Sequence, residues 1–236
     1  MAQQGLRKQG AEERNFYSPA IRARLETSNP VLADLRFRAL LGEAGWNALS
    51  QSVRRRFSKR LEGGATAIYA GTVTTLRMSM AGWLLAQAAR LIGGPLPVSR
   101  EAGLPSIVSV TEDGAGGGQV WTRLYARRRG FPQIIHSCKR FAGPTGLEEH
   151  LGAGFAMTLK VAVEQGAIVF CSVGYFWHLG ALRLELPRWL WPGELTVTHR
   201  ETGENHFAFD LDLAHPRLGA LLYQSVAFEE TPSCNR

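Results

Sequence analysis

Between about Thr66 and Phe228 the chain alternates polar and apolar residues with a period of two, segment after segment. In Gln119-Val-Trp-Thr-Arg-Leu-Tyr-Ala-Arg127, Trp121, Arg123, Tyr125 and Arg127 fall on one face, and Val120, Thr122, Leu124 and Ala126 on the other. Further on, Phe207, Phe209, Leu211 and Leu213 oppose Ala208, Asp210 and Asp212. Successive side chains of a strand point to opposite sides, so this alternation predicts half-buried strands. Each such strand must bury one face against a second layer or a curved interior. Strands are predicted over residues 66–78, 106–112, 119–127, 133–141, 157–164, 167–173, 181–186, 194–200, 206–213 and 219–229, with turns at Gln165-Gly166 and Thr202-Gly-Glu-Asn205.

Helical spacing interrupts this rhythm in two places. Residues 80–92 read as a helix stopped by Gly93-Gly94-Pro95. From about Val31, Leu32, Leu35 and Ala39 recur at three- to four-residue spacing. After a turn around Gly42 to Gly45, Trp46, Leu49, Val53 and Phe57 mark a second short helix ending in basic residues. Residues 1–30 are polar and punctuated by Pro19 and Pro30, which predicts a disordered or loosely attached leader. Residues 31–230 then form a single domain, followed by a tail at 231–236. The expected fold is α+β: a curved, mostly antiparallel sheet, half-barrel or barrel-like, wrapped around the 80–92 helix, with two short N-terminal helices.

Hydrophobic residues make up 45% of the 236, enough for one well-buried domain, and a charged share of 20% argues against global disorder. The longest apolar run, residues 80–92, is too short to span a bilayer and carries Gln87 and Arg90. The start of the chain lacks the apolar core of a secretory signal, and Cys138, Cys171 and Cys234 are odd in number and widely spaced. Both observations predict a cytoplasmic protein without a disulfide framework. A formal net charge of +7 raises the question of nucleic acid. Yet the densest clusters, Arg54-Arg55-Arg56, Lys59-Arg60 and Arg127-Arg128-Arg129, sit in no nucleic-acid-binding motif, so no nucleic-acid partner is expected. A membrane surface met by these clusters and by Trp83, Trp189 and Trp191 is a third-ranked reading.

Catalytic and metal signatures are absent from the pattern. The six histidines show no helical i, i+4 pair, so no metal site is expected. His199 and His206 are expected to meet across the hairpin at Gly203 as a solvated pair. There is no Gly-x-Ser-x-Gly elbow. His136 and Cys138 share a strand face, but packing is the better reading of that thiol. Asp113-Gly-Ala-Gly-Gly-Gly118 joins two strands, whereas a phosphate cradle needs a helix after its glycines, so no cofactor is expected.

Two features point to a ligand. Trp121, Arg123, Tyr125, His136 and Lys139 form a polar and aromatic cluster on strands that should line the sheet. Arg123, held between two aromatics, suits a carboxylate or phosphate head group, and Glu148 or Glu149 is its competing internal partner. Pro187-Arg-Trp-Leu-Trp-Pro192 is a stiff aromatic loop, read as a pocket rim, an interfacial anchor or a packing plug.

The strings Leu41-Gly-Glu-Ala-Gly-Trp46, Val53-Arg-Arg-Arg-Phe57, Gln119-Val-Trp-Thr-Arg123 and Gly143-Pro-Thr-Gly-Leu-Glu-Glu149 resemble the bacterial family catalogued as domain of unknown function 4166. Leu186-Pro-Arg-Trp-Leu190 and the stretch from Phe209 to Gly219 extend the likeness, which runs from about residue 35 to 228. The resemblance lends no catalytic residues. Its relatives' association with dehydrogenases of the saccharopine reductase type implies an accessory or substrate-holding role beside such a partner. Any cofactor chemistry would belong to that partner, because no Rossmann glycine fingerprint is present here. The leading expectation is a non-enzymatic domain binding a lipid-like or other apolar molecule with an acidic group through Trp121, Arg123, Tyr125, His136, Lys139 and Glu149. The alternative is an enzyme, or an accessory subunit to a reductase, working through His136, Arg123 and Glu149.

Overall fold

The structure, a computed structural model, describes residues 34–61 and 63–230. The leader read over 1–30, the helix start near Val31 and the tail over 231–236 lie outside the described residues. Among those described, eleven strands follow the alternating segments: β1 (Ala67–Met78), β2 (Pro105–Asp113), β3 (Gly118–Tyr125), β4 (Gln133–Arg140), β5 (Glu148–Gly152), β6 (Phe155–Glu164), β7 (Ala167–Leu179), β8 (Leu182–Glu185), β9 (Glu194–Gly203), β10 (His206–His215) and β11 (Gly219–Glu229). From β1 to β7 each strand pairs antiparallel with the next. The run from β9 to β11 does the same.

Two non-local joins close the ring. β11 lies along β1, with Ala70 opposite Glu229 and Met78 opposite Leu222, and β9 lies along the first part of β7, with Ile168 opposite His199. The result is a closed barrel of ten antiparallel strands, with β8 paired only to the later part of β7. Closure removes the open edges that would otherwise invite pairing with other chains. Register shifts at Val73/Thr75, Thr158/Leu159 and Leu213/Ala214 add the local twist that bends the strands into the ring.

One strand escapes the periodicity. The stretch from 142 to 154 carries the turn signal Gly143-Pro-Thr-Gly146 and no strand signal, yet Glu148–Gly152 forms β5 between β4 and β6. Five residues beginning Glu-Glu-His carry no apolar alternation; pairing with Cys138 to Arg140 on one side and with Phe155 to Thr158 on the other makes them a strand.

Helices close both ends. Helix α1 (Arg36–Ala48) breaks at Gly42, whose φ of 68° is left-handed. Helix α2 (Gln51–Phe57) starts at Ser50, whose hydroxyl accepts the Val53 amide hydrogen at 3.3 Å. This cap places Trp46 on α1, apart from Val53 and Phe57. Phe37 and Phe57 meet edge to face at 5.0 Å and pack against Phe170 of β7, sealing the end where β1 begins. Phe37 and Val53 are fully buried, each contributing roughly 1.5–3 kcal/mol.

Helix α3 (Met80–Ala88) and the 3₁₀ turn Ala89–Ile92 lie at the opposite end. Gly82 presses on the Leu221 carbonyl of β11, and Gly152 of β5 presses on the Ile92 carbonyl; a Cβ at either position would collide with that oxygen. β11 and β5 stand on opposite sides of the ten-strand ring. The helix therefore crosses the barrel's mouth, and the sheet closes on itself through the β11–β1 and β9–β7 ladders. That corrects the expectation of a sheet wrapped around the helix. These two ladders pair the edges an open sheet would leave, so no helix is needed at its centre.

Candidate functional site

Alternation on β3 and β4 turns one set of side chains into the barrel. Gln119, Trp121, Arg123 and Tyr125 enter from β3, and Ile135, Ser137 and Lys139 from β4. The register sets Trp121 opposite Ser137, Gln119 opposite Lys139, and Lys139 opposite Glu149 of β5. The Glu149 carboxylate accepts from Lys139 Nζ at 2.7 Å, Ser137 Oγ at 2.6 Å and Arg123 Nη2 at 3.3 Å. Arg123 Nη1 also donates to Ser137 Oγ at 3.1 Å. Trp121 lies under both cations, 5.0 Å from Lys139 and 6.0 Å from Arg123.

Two cations thus share one carboxylate. Burial pushes the Glu149 pKa up, but Lys139 and Arg123 outweigh it and hold the group down at about 2. Burial lowers the Lys139 pKa against the pull of Glu149, and burial raises that of Tyr125. Lys139 and Glu149 are sealed, with side chains 7% and 5% exposed, whereas Arg123 keeps 24%.

That exposed part of Arg123 faces a cavity of about 240 Å³. Arg123, Ser137 and Glu149 supply its polar patch. Leu85, Ala88 and Ile92 line it from the helix side, while Leu195, Val197, Leu211 and Leu213 line it from β9 and β10. Leu186, Leu190 and Pro192 add a rim from the segment after β8. Tyr175 also lines it; burial pushes its hydroxyl up to about 12, and it donates to Ser172 at 3.3 Å. The aromatic loop divides its roles. Trp191 packs on Tyr175 at 5.5 Å and donates to the Leu186 carbonyl at 2.9 Å, while Trp189 is 71% exposed.

The profile of a protein family described as Domain of unknown function (DUF4166) matches residues 49–228. The chain belongs to this family. No curated protein and no solved structure matches it. The DUF4166 match takes in α2, α3 and nearly the whole barrel, so Arg123, Lys139 and Glu149 all fall inside it.

Within this DUF4166 domain the structure brings together Trp121, Arg123, Tyr125, Lys139 and Glu149 from the sequence-predicted set. It leaves out His136, which is exposed on the outer face with Nδ1 3.0 Å from Thr122 Oγ1. The reason is parity: His136 and Lys139 are three apart on one strand and must point oppositely. The same rule, applied from Lys139, puts Ser137 inside, and Ser137 is the site residue that sequence reasoning missed. Glu148 points outward to Arg183 and His150.

Other expectations resolve similarly. Cys138 Sγ donates to Asp113 at 3.1 Å, and burial together with that carboxylate pushes the thiol up to about 11, the opposite of an activated nucleophile. His199 and His206 do not meet: the register sets His199 opposite Phe209, and His206 opposite Gly203. His199 is 1% exposed among Phe57, Phe207 and Phe209, and burial drives its pKa down to about 3. Among the described residues no group of three or more His, Cys, Asp or Glu is placed to hold a metal. No described helix is long and apolar enough to cross a membrane.

Proposed function

We propose that the barrel is a binding domain for a small amphiphile that carries one acidic group, such as a fatty acid of modest length. The observation that supports this most is the uneven charge in the interior. Arg123 and Lys139 face a single carboxylate, and the better exposed cation opens onto an otherwise apolar cavity. A desolvated cation in excess of its partners is costly, and an incoming carboxylate or phosphate offsets that cost. Arg123 fits this role because its planar fork holds one acceptor while presenting further donors.

The cavity's size supports a single short chain. At about 240 Å³ it falls slightly below the roughly 300–1,000 Å³ of common ligand sites. Helix α3 and its 3₁₀ turn serve as the roof, with Leu85, Ala88 and Ile92 against the ligand's apolar part. Glu149 and Tyr175, held near 2 and 12, keep fixed protonation at neutral pH, which suits anchoring better than proton transfer.

The test pairs native mass spectrometry of freshly purified protein with titration of a medium-chain fatty acid and the alcohol of equal length. The acid should bind the native chain at least tenfold more tightly than the alcohol. Arg123→Met should abolish that preference while leaving alcohol binding unchanged. Equal affinity for acid and alcohol in the native chain would sink the proposal.

A further inference from the structure

The mouth crossed by α3 has a second property, separate from the cavity beneath it. A helix buried on one side and solvated on the other normally carries polar residues outward. Helix α3 and its 3₁₀ turn carry only Gln87 and Arg90 there, among apolar neighbours. Leu85, Ala88 and Ile92 face the cavity, yet Met80, Leu84 and Leu91 on the other side are 63%, 58% and 87% exposed. Antiparallel connectivity brings to the same end the β3–β4 loop, the segment after β8 and the β10–β11 turn. These add Phe131 at 91% exposed, Trp189 at 71% and Leu218 at 61%.

Positive charge predominates around this apolar surface, although Glu194 at the start of β9 stands beside Arg188 and Arg217. The connections at this end, residues 79–104, 126–132, 186–193 and 216–218, contain Arg90, Arg100, Arg127, Arg128, Arg129, Arg188 and Arg217 against one acid, Glu101. Arg100 and Arg188 lie against Trp83 and Trp191, 5.7 and 5.4 Å from the rings. Exposed Trp and Leu ringed by arginine is the composition of a surface that settles into an anionic lipid interface: the apolar groups enter the acyl boundary and the guanidinium groups meet the phosphates.

We infer that the α3 end of the barrel docks on an anionic bilayer, with Leu84, Leu91, Phe131 and Trp189 inserting and the surrounding arginines bound to lipid head groups. This goes beyond the cavity's ligand and does not depend on it. A docked mouth would place the cavity rim at Leu190 directly against the lipid. Lipid also accounts for the seven arginines, which a second copy of this chain would set against one another.

The experiment is flotation of the full chain with vesicles of phosphatidylcholine alone, and with vesicles in which about a third of the lipid is phosphatidylglycerol. Binding should be at least tenfold stronger to the anionic vesicles and should weaken as salt is raised, because exposed charges are screened. Arg127→Ser/Arg129→Ser should lower partitioning by about five-fold per arginine. Leu91→Ser/Trp189→Ser should reduce it at least tenfold at any salt concentration. Ile68→Ser/Ile107→Ser, which removes exposed apolar residues from the barrel wall, should float like the native chain. Failure of the native chain to float with anionic vesicles overturns the inference. So does a self-associated chain in solution that stays off vesicles and becomes monomeric in Leu91→Ser/Trp189→Ser, since a second copy would then cover this face. Fatty-acid binding is measured without vesicles and flotation without fatty acid, so either reading can fail alone.

Discussion

Replacing Glu149 by Gln tests the charge arrangement at the centre of the barrel. The carboxylate is 5% exposed and accepts from Lys139, Ser137 and Arg123. Its pKa is brought from 4.5 to about 2 because Lys139 and Arg123 overcome the opposing effect of burial. At ~1.4 kcal/mol per pH unit that gap is worth about 3 kcal/mol of folding stability. The folded value lies below the unfolded one, so the contribution is complete above pH 4.5 and is lost as pH falls toward 2. Glutamine keeps the size and removes the charge, leaving two interior cations without their anion. Breaking a buried pair in this way costs about 3–5 kcal/mol. Lys139, already lowered by burial, would fall further, while unfolded lysine titrates near ~10.4. Between those values the unfolded state holds the extra proton, so the stability of Glu149→Gln should climb as pH rises toward 10. Urea unfolding followed by circular dichroism, from pH 3 to 10, measures all of this. Lys139→Met/Glu149→Gln should recover most of the loss, because the remaining cation, Arg123, reaches the cavity. Glu149→Gln should also bind a fatty acid more tightly, since Arg123 no longer shares its donors. A variant within 1 kcal/mol of the native chain at pH 7, with an unchanged acid limb, would refute the argument.

His199→Phe should flatten the upper part of the acid limb: burial lowers this histidine from 6.5 to about 3, so between pH 6.5 and 4.5 the native chain loses stability that the phenylalanine variant keeps, and below 4.5 both lose the Glu149 contribution. In a Cys171→Ser/Cys234→Ser background, Cys138 should react with a thiol reagent at pH 8 about 100-fold more slowly when folded than when unfolded, because burial and Asp113 raise it from 9.0 to about 11; equal rates would place the thiol elsewhere. Ser50→Ala should cost about 1 kcal/mol in thermal unfolding through loss of the α2 cap, with no change in ligand binding.

Local pattern was enough for ten of the eleven described strands and for the division of each into two faces. It placed Trp121, Arg123 and Tyr125 together, because a strand allows no other arrangement of residues two apart. It did not say which face was interior. On β3 the opposing residues, Val120, Thr122 and Leu124, are the more conventional core set, and only the curvature of a closed sheet turned the arginine inward. The error at His136 came from mixing the two parities, a mistake the strand rule itself corrects. Everything that depended on distant pairing lay beyond local pattern. Closure of β11 on β1 and of β9 on β7, the conversion of Glu148–Gly152 into a strand, and the burial of His199 against Phe57 of α2 all arise from contacts that no local pattern signals. The central ion triad is of this kind. Glu149 is acidic in any fold, but it becomes a sealed carboxylate held near 2 only because β5 lies beside β4 and brings it to Lys139.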